Sequence, residues 1–192
     1  MKYKDLFSRL LLILSSPTKA WVEISQEEDG EQVQNNFVYP MVALCGIALF
    51  LGLLFGNGVK DFSIQNALTQ CCGLFMGLFG GFFLSTYFVQ LMGKRLLADE
   101  IEYGNDDVKK LVGYSMCVTF VLEIFASLFA TFFIIKWLLL FYTIYIVWEG
   151  SKVMMKVTED KLLSYTLLSS IIIIVCPVVI NKVFGWLCQV AG

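Results

Sequence analysis

The stretch that decides the fold is residues 67–93, ALTQCCGLFMGLFGGFFLSTYFVQLMG, which contains no charged side chain. Glycine recurs at every fourth position in Gly73, Gly77 and Gly81, so these residues share one face of a helix. In water each helical glycine costs about 1 kcal/mol relative to alanine. In a bilayer the same pattern lets a neighbouring helix approach closely. The stretch therefore predicts a membrane-spanning helix with a close helical partner.

The composition of the whole chain agrees with a membrane protein. Of its 192 residues, 58% are hydrophobic and only 16% are charged, whereas soluble domains carry about 25% charged residues. The net charge of −2 indicates no basic surface for nucleic acid. The sequence contains no histidine, the commonest metal ligand, and its six cysteines lie in or beside apolar segments without ligand spacing. We therefore predict no metal and no cofactor.

The apolar segments predict an all-α, polytopic membrane protein with five transmembrane helices. About 20 apolar residues cross a bilayer, and the run 111–148 is long enough for two crossings that turn near Ala130–Phe133. The acidic stretch 27–31 and Asn57-Gly58 predict connecting loops. The expected organisation is an N-terminal segment over 1–36 and a transmembrane domain over 37–192, with spans at about 38–56, 67–93, 111–131, 134–150 and 162–186.

Residues 3–14 predict an amphipathic helix ahead of the first span. Apolar side chains recur there at helical spacing, and the run is too short to cross a bilayer. We predict that this helix lies in the membrane interface. The alternative is a helix that packs beneath the transmembrane bundle.

The distribution of basic residues predicts the orientation. With five spans, eleven of the fourteen Lys and Arg residues lie on the side of the N-terminus, and only Lys60, Lys136 and Lys182 lie on the other side. Because positive residues favour the cytoplasmic side, we expect a cytoplasmic N-terminus and a C-terminus outside.

Glu123 is the sharpest candidate for a functional residue, because it is an ionisable group inside the third span. Its depth, counted along the helices, matches that of Gly77, Tyr142 and Pro177. Pro177 frees the carbonyl of Ile173 from its helical hydrogen bond. A protonated Glu123 could therefore donate to that carbonyl or bond to the Tyr142 hydroxyl. We favour such a structural role over binding or relay of an ion or proton.

A second small-residue stripe, Ala48, Gly52 and Gly56, lies in the first span. We expect it to pack against the Gly73, Gly77 and Gly81 face as a glycine zipper within one chain. Homodimerisation through the second-span face is the alternative.

Three motifs resemble the Yip family of Ypt/Rab-interacting membrane proteins. Gly113-Tyr114-Ser115 resembles the family's Gly-Tyr-Ser signature. Pro17 and Trp21 stand in a segment similar to the N-terminal Pro-x-x-x-Trp-x-x-Ile of the bacterial members. Tyr142-x-x-Tyr145-x-x-Trp148-x-Gly150 resembles the end of their fourth span. The resemblance extends over about residues 5–187.

This resemblance implies five membrane helices, a cytoplasmic N-terminus and, for the bacterial branch, the cytoplasmic (inner) membrane. The Asp-Leu-Tyr-Gly-Pro motif of the eukaryotic members is missing before the first span, where Phe37-Val38-Tyr39-Pro40 stands. A Rab-type GTPase is therefore not an expected partner.

The sequence carries no catalytic motif of the kinds that serve hydrolases or phosphate-binding enzymes. We therefore expect a non-enzymatic scaffold or adaptor that contacts the lipid bilayer and binds other membrane proteins or a second copy of itself. The alternative is a small transporter, channel or lipid-moving protein built around Glu123. Few polar residues accompany Glu123 in the apolar segments, which favours the scaffold.

Overall fold

A computed structural model describes residues 3–26, 33–56, 63–97, 104–129 and 132–191. All regular structure within these ranges is helical. The acidic stretch 27–31, the Asn57-Gly58 turn and residues 130–131 of the predicted third turn lie outside the described residues. The helices are α1 (Tyr3–Ser15), α2 (Pro17–Ser25), α3 (Tyr39–Gly56, after a π-helical turn at Gln34–Val38), α4 (Ile64–Leu96), α5 (Asn105–Ser115), α6 (Cys117–Leu128), α7 (Phe132–Leu139), α8 (Tyr142–Val153) and α9 (Glu159–Ala191).

Four helical segments in the described ranges are long and apolar enough to cross a membrane. They correspond to the first, second, third and fifth predicted spans, and α5 and α6 together form the third. The all-α membrane bundle is thereby confirmed. The segments are Gln34–Gly56, Ile64–Leu96, Asn105–Leu128 and Glu159–Cys188.

The fourth predicted span, 134–150, is divided between α7 and α8. At the junction the amide of Phe141 bonds to the carbonyl of Leu138 at 3.3 Å, and the amide of Thr143 bonds to the carbonyl of Leu140 at 3.0 Å. These bonds reach back three residues, as in a 3₁₀ turn. The two helices contain 8 and 12 residues, so neither alone approaches the roughly 20 residues of a crossing. The fourth predicted span, and with it the total of five crossings, therefore stays a prediction.

The glycine face of α4 packs against α9. A Cβ added at Gly77 would lie 3.0 Å from Cβ of Asn181, and one added at Gly81 would lie 2.6 Å from Cγ of Pro177. Gly73 faces the ring of Phe184. The expectation of close packing was right, but the expected partner, the first span, was wrong. A row of glycines shows that some helix approaches closely and does not specify which helix.

The residues of the second stripe, Ala48, Gly52 and Gly56, do not share one helical neighbour as expected. A Cβ at Gly52 would overlap the backbone carbonyl of Ser127, so Gly52 packs against the end of α6. Ala48 is buried. Gly56 is exposed, and a Cβ there would meet no atom of the described residues within 4 Å, so its assignment to helix packing stays a prediction.

The two N-terminal helices belong to the same hydrophobic core as the spans. Leu6, Leu10 and Ile13 of α1 are buried, and α1 packs against α2 and α6. Phe7 and Leu11, on another side of α1, are exposed. α1 therefore has one apolar side in the protein and a second that is open, and its location in the membrane interface stays a prediction.

Candidate functional site

The family-motif residues of α2, α5 and α8 meet around Trp21. The indole Nε1 donates a hydrogen bond to the carbonyl of Ile146 at 3.0 Å. The indole meets the ring of Tyr114 edge to face, with centroids 6.3 Å apart. A Cβ added at Gly150 would lie 2.7 Å from the indole. Glycine at position 150 therefore makes room for Trp21.

Tyr114 extends this cluster towards α1 and the start of the first span. The Arg9 guanidinium lies over its ring, 5.7 Å from the centroid, and donates to its hydroxyl at 3.3 Å. The ring of Phe37 lies 4.9 Å away. A Cβ at Gly113 would lie 2.7 Å from a methyl of Val33. These contacts join α1, α5 and the segment ahead of α3, and they are typical of packing rather than of a reactive centre.

The other motif residues divide into two groups. Pro17 and Ser115 are buried, and they lie close in sequence to Trp21 and Tyr114. Tyr145 is exposed, and Trp148 is half-buried with the Lys152 ammonium 5.2 Å above its ring. The structure thus unites Trp21, Gly113, Tyr114 and Gly150 and leaves Tyr145 outside.

Glu123 forms an ion pair with Lys136 of α7, with Oε1 and Nζ 2.5 Å apart. The side chains are 21% and 15% exposed, respectively. The expected hydrogen bonds of Glu123 were wrong: Tyr142 donates to the carbonyl of Leu14 at 2.9 Å, and no bond from Glu123 to Ile173 occurs among the described residues. That expectation assumed a neutral carboxyl, whereas a lysine from the following helix supplies an opposite charge.

Glu123 and Lys136 open into a cavity of about 650 Å³ between α4, α6, α7 and α9, which we call the Glu123 cavity. Gly77 and Pro177, predicted at the depth of Glu123, also line it. A neighbouring cavity of about 550 Å³ shares Glu123 and Asn181. The Glu123 cavity is lined by Leu74, Gly77, Leu78, Thr119, Glu123, Lys136, Trp137, Leu140, Ile174, Pro177, Val178, Asn181, Lys182, Gly185 and Trp186.

The sequence interpretation missed Lys136, Asn181 and Lys182 as cavity residues. It assigned Lys136 and Lys182 to the outer side only by counting charges. A signal for Lys136 was available: it follows Glu123 by 13 residues with the predicted turn between them, so the two residues lie on neighbouring helices close to that turn. Asn181-Lys182 is likewise a polar pair in an otherwise apolar stretch.

The Glu123–Lys136 ion pair should be energetically coupled. Glu123→Gln and Lys136→Met should each destabilise the fold, because each leaves the other charge unpaired in apolar surroundings. The double variant should recover about 0.5–3 kcal/mol of the summed losses. Unfolding in detergent micelles measures this cycle. Its control is the pair Glu149–Lys152, which is 3.7 Å apart with a more exposed lysine and should couple less. Additive losses at Glu123 and Lys136 would contradict the coupling.

A third concavity faces outward between α3 and α4. This Gly46 groove has a volume of about 370 Å³ and an apolar lining. A Cβ at Gly46 would meet no atom within 4 Å, so the glycine forms a notch. The thiol of Cys71 lies 3.7 Å from the Gly46 carbonyl and joins the two helices at its floor. The groove is lined by Val42, Ala43, Gly46, Ile47, Phe50, Leu51, Leu68, Cys71 and Phe75.

The apolar helices and the bundle that they form define the class of protein: an all-α integral membrane protein. The family model of the Yip1 domain matches residues 11–180. The chain therefore belongs to the Yip1 domain family, as its Gly-Tyr-Ser and Trp motifs predicted. No curated protein and no solved structure matches the chain.

Proposed function

We propose that this protein is a non-enzymatic scaffold or adaptor that holds a transmembrane helix of another membrane protein in the Gly46 groove. The open groove is the observation that carries the proposal. Ala43 and Gly46, one turn apart, offer the small-residue surface on which membrane helices approach closely. The Gly73, Gly77 and Gly81 face is occupied by α9, so it does not offer that surface to a partner.

The chemistry of the groove suits a helix from within the bilayer. Ile47, Leu68 and Phe75 are exposed around the notch, and none of its described lining residues is charged. Neither nucleic acid nor a Rab-type GTPase is part of this proposal. Within the bilayer, van der Waals packing drives association of helices, and a notch beside large apolar side chains increases that contact.

The proposal includes a place and an orientation. We propose five crossings in the bacterial cytoplasmic membrane, with a cytoplasmic N-terminus and an outer C-terminus. The resemblance of the motifs to bacterial family members supports this arrangement, as do the eleven basic residues on the N-terminal side. In this arrangement α7 and α8 together make the fourth crossing, bent at Leu140–Phe141.

Filling the notch should release the partner without unfolding the protein. Gly46→Leu places its side chain in open space, so the fold should persist while partner binding falls about tenfold or more, as expected for loss of helix packing worth one to two kcal/mol. A photo-crosslinking residue at position 47 measures this binding in membranes as the yield of one defined adduct. The partner in that adduct should also co-purify with the protein when no crosslink is formed.

The matched control is Gly56→Leu on the same helix, which also meets no atom within 4 Å but lies outside the groove. It should leave the adduct unchanged. An adduct that survives Gly46→Leu, or one that contains only lipid, would count against the scaffold role. An adduct of twice the protein's mass would replace the adaptor proposal with self-association.

A further inference from the structure

The Glu123 cavity carries an excess of positive charge. Lys136 and Lys182 line it, and Glu123 is the only carboxylate among its described lining residues. Glu123 neutralises Lys136, whereas Lys182 makes no ion pair within the described part of the chain. One positive charge is therefore available to a ligand, and the cavity favours an anion.

The wall of the cavity changes from apolar to polar along α9. Ile174 and Val178 line it first, Asn181 and Lys182 follow about one turn later, and Trp186 comes one turn beyond. This wall is about 18 Å long, at about 1.5 Å per residue. A ligand that fills it needs an apolar part next to a charged head.

The position of the cavity suits access from the bilayer. Three of the segments around it, α4, α5–α6 and α9, are long and apolar enough to cross the membrane. Trp137 and Trp186 line it and are 50% and 63% exposed. Indole side chains favour the depth of lipid headgroups. The volume of about 650 Å³ falls within the usual range of roughly 300–1,000 Å³ for small-molecule sites.

We propose that the Glu123 cavity binds an anionic phospholipid whose phosphate is a singly charged diester. The Lys182 ammonium and the Asn181 amide donate to phosphate oxygens, and an acyl chain lies along Leu78, Ile174 and Val178. Glu123 sets the specificity. Because it cancels the charge of Lys136, the cavity offers one positive charge, which matches a diester better than a more highly charged phosphomonoester. This site is separate from the Gly46 groove and does not depend on the scaffold role.

Lipid binding to delipidated protein in detergent tests the proposal. Native mass spectrometry should show phosphatidylglycerol bound about tenfold more tightly than phosphatidylcholine of the same chain length, because the choline cation of phosphatidylcholine offsets its phosphate charge and is repelled by the Lys182 ammonium. Lys182→Gln should reduce the affinity to that of phosphatidylcholine. Lys182 is exposed, so this variant should fold. The control is Lys94→Gln, since Lys94 is also exposed and lies about 25 Å along α4 from Gly77. It should leave the preference for phosphatidylglycerol unchanged.

Three outcomes would overturn the proposal. They are equal affinities for the two lipids, undiminished preference in Lys182→Gln, and displacement of phosphatidylglycerol by millimolar inorganic phosphate, which would assign the site to a free anion.

A second variant tests the specificity of the cavity for a singly charged phosphate. Glu123→Gln raises the available charge to two and should shift the preference towards phosphatidic acid by about tenfold. An unchanged ranking of lipids would reject the role of Glu123.

Discussion

Replacing Trp21 with alanine should lower the free energy of unfolding by about 3–5 kcal/mol, the usual cost of removing a buried tryptophan. Trp21 is fully buried and lies at the meeting point of α2, α5 and α8. Its loss leaves a cavity beside Tyr114 and Gly150. It also leaves the Ile146 carbonyl without the indole donor, although that carbonyl lies within a helix. Equilibrium unfolding in mixed detergent micelles measures the effect.

Tyr145→Ala is the matched control, because Tyr145 belongs to the family motifs but is 45% exposed. It should cost about 1 kcal/mol or less, mainly through lost contact with the ring of Tyr142. If the two alanine variants lost similar stability, the Trp21 cluster would not be the packing centre that its geometry indicates.

Gly52→Ala should also destabilise the fold strongly, although it adds a single methyl group. That methyl would overlap the Ser127 carbonyl, a backbone atom that cannot move aside by changing a rotamer. α3 and α6 must therefore separate. Overpacking of this kind costs about 1–3 kcal/mol or more, and the gain in helix propensity of about 1 kcal/mol offsets only part of it. The same unfolding assay gives the net loss.

Gly56→Ala is the control, one turn further along the same helix and in the same predicted stripe. The added methyl meets no atom of the described residues within 4 Å, so stability should stay unchanged or rise. Equal effects of the two changes would show that the contact between α3 and α6 is looser than described.

The sequence predicted most of the fold because the membrane imposes simple rules. Long apolar segments must form helices in lipid, and this determined the helical class and the positions of four spans. It could not reveal the break at Leu140–Phe141, where neither glycine nor proline marks the turn. It also could not assign the helix neighbours, since glycine spacing is the same whichever helix approaches.

The candidate site was only partly predictable for a similar reason. Glu123 stands out as a charge in an apolar segment. Its partner Lys136 and the cavity residue Lys182 lie near predicted span ends, where a lysine normally reaches the interface and needs no partner. Their convergence with Asn181 depends on how α7 and α9 pack, and that packing is a tertiary property.

The anchoring of the N-terminal helices has a consequence for biosynthesis. Trp21 bonds to a residue 125 positions later, and the Leu14 carbonyl accepts from Tyr142, 128 positions later. α1 and α2 leave the ribosome first, yet α8 must be made before either contact can form. Although chains generally fold from the N-terminus during synthesis, these two contacts form late. A nascent chain that stalls before residue 142 should therefore lack the hydrogen bonds that anchor α1 and α2 to α8, and α2 should be more open to proteases.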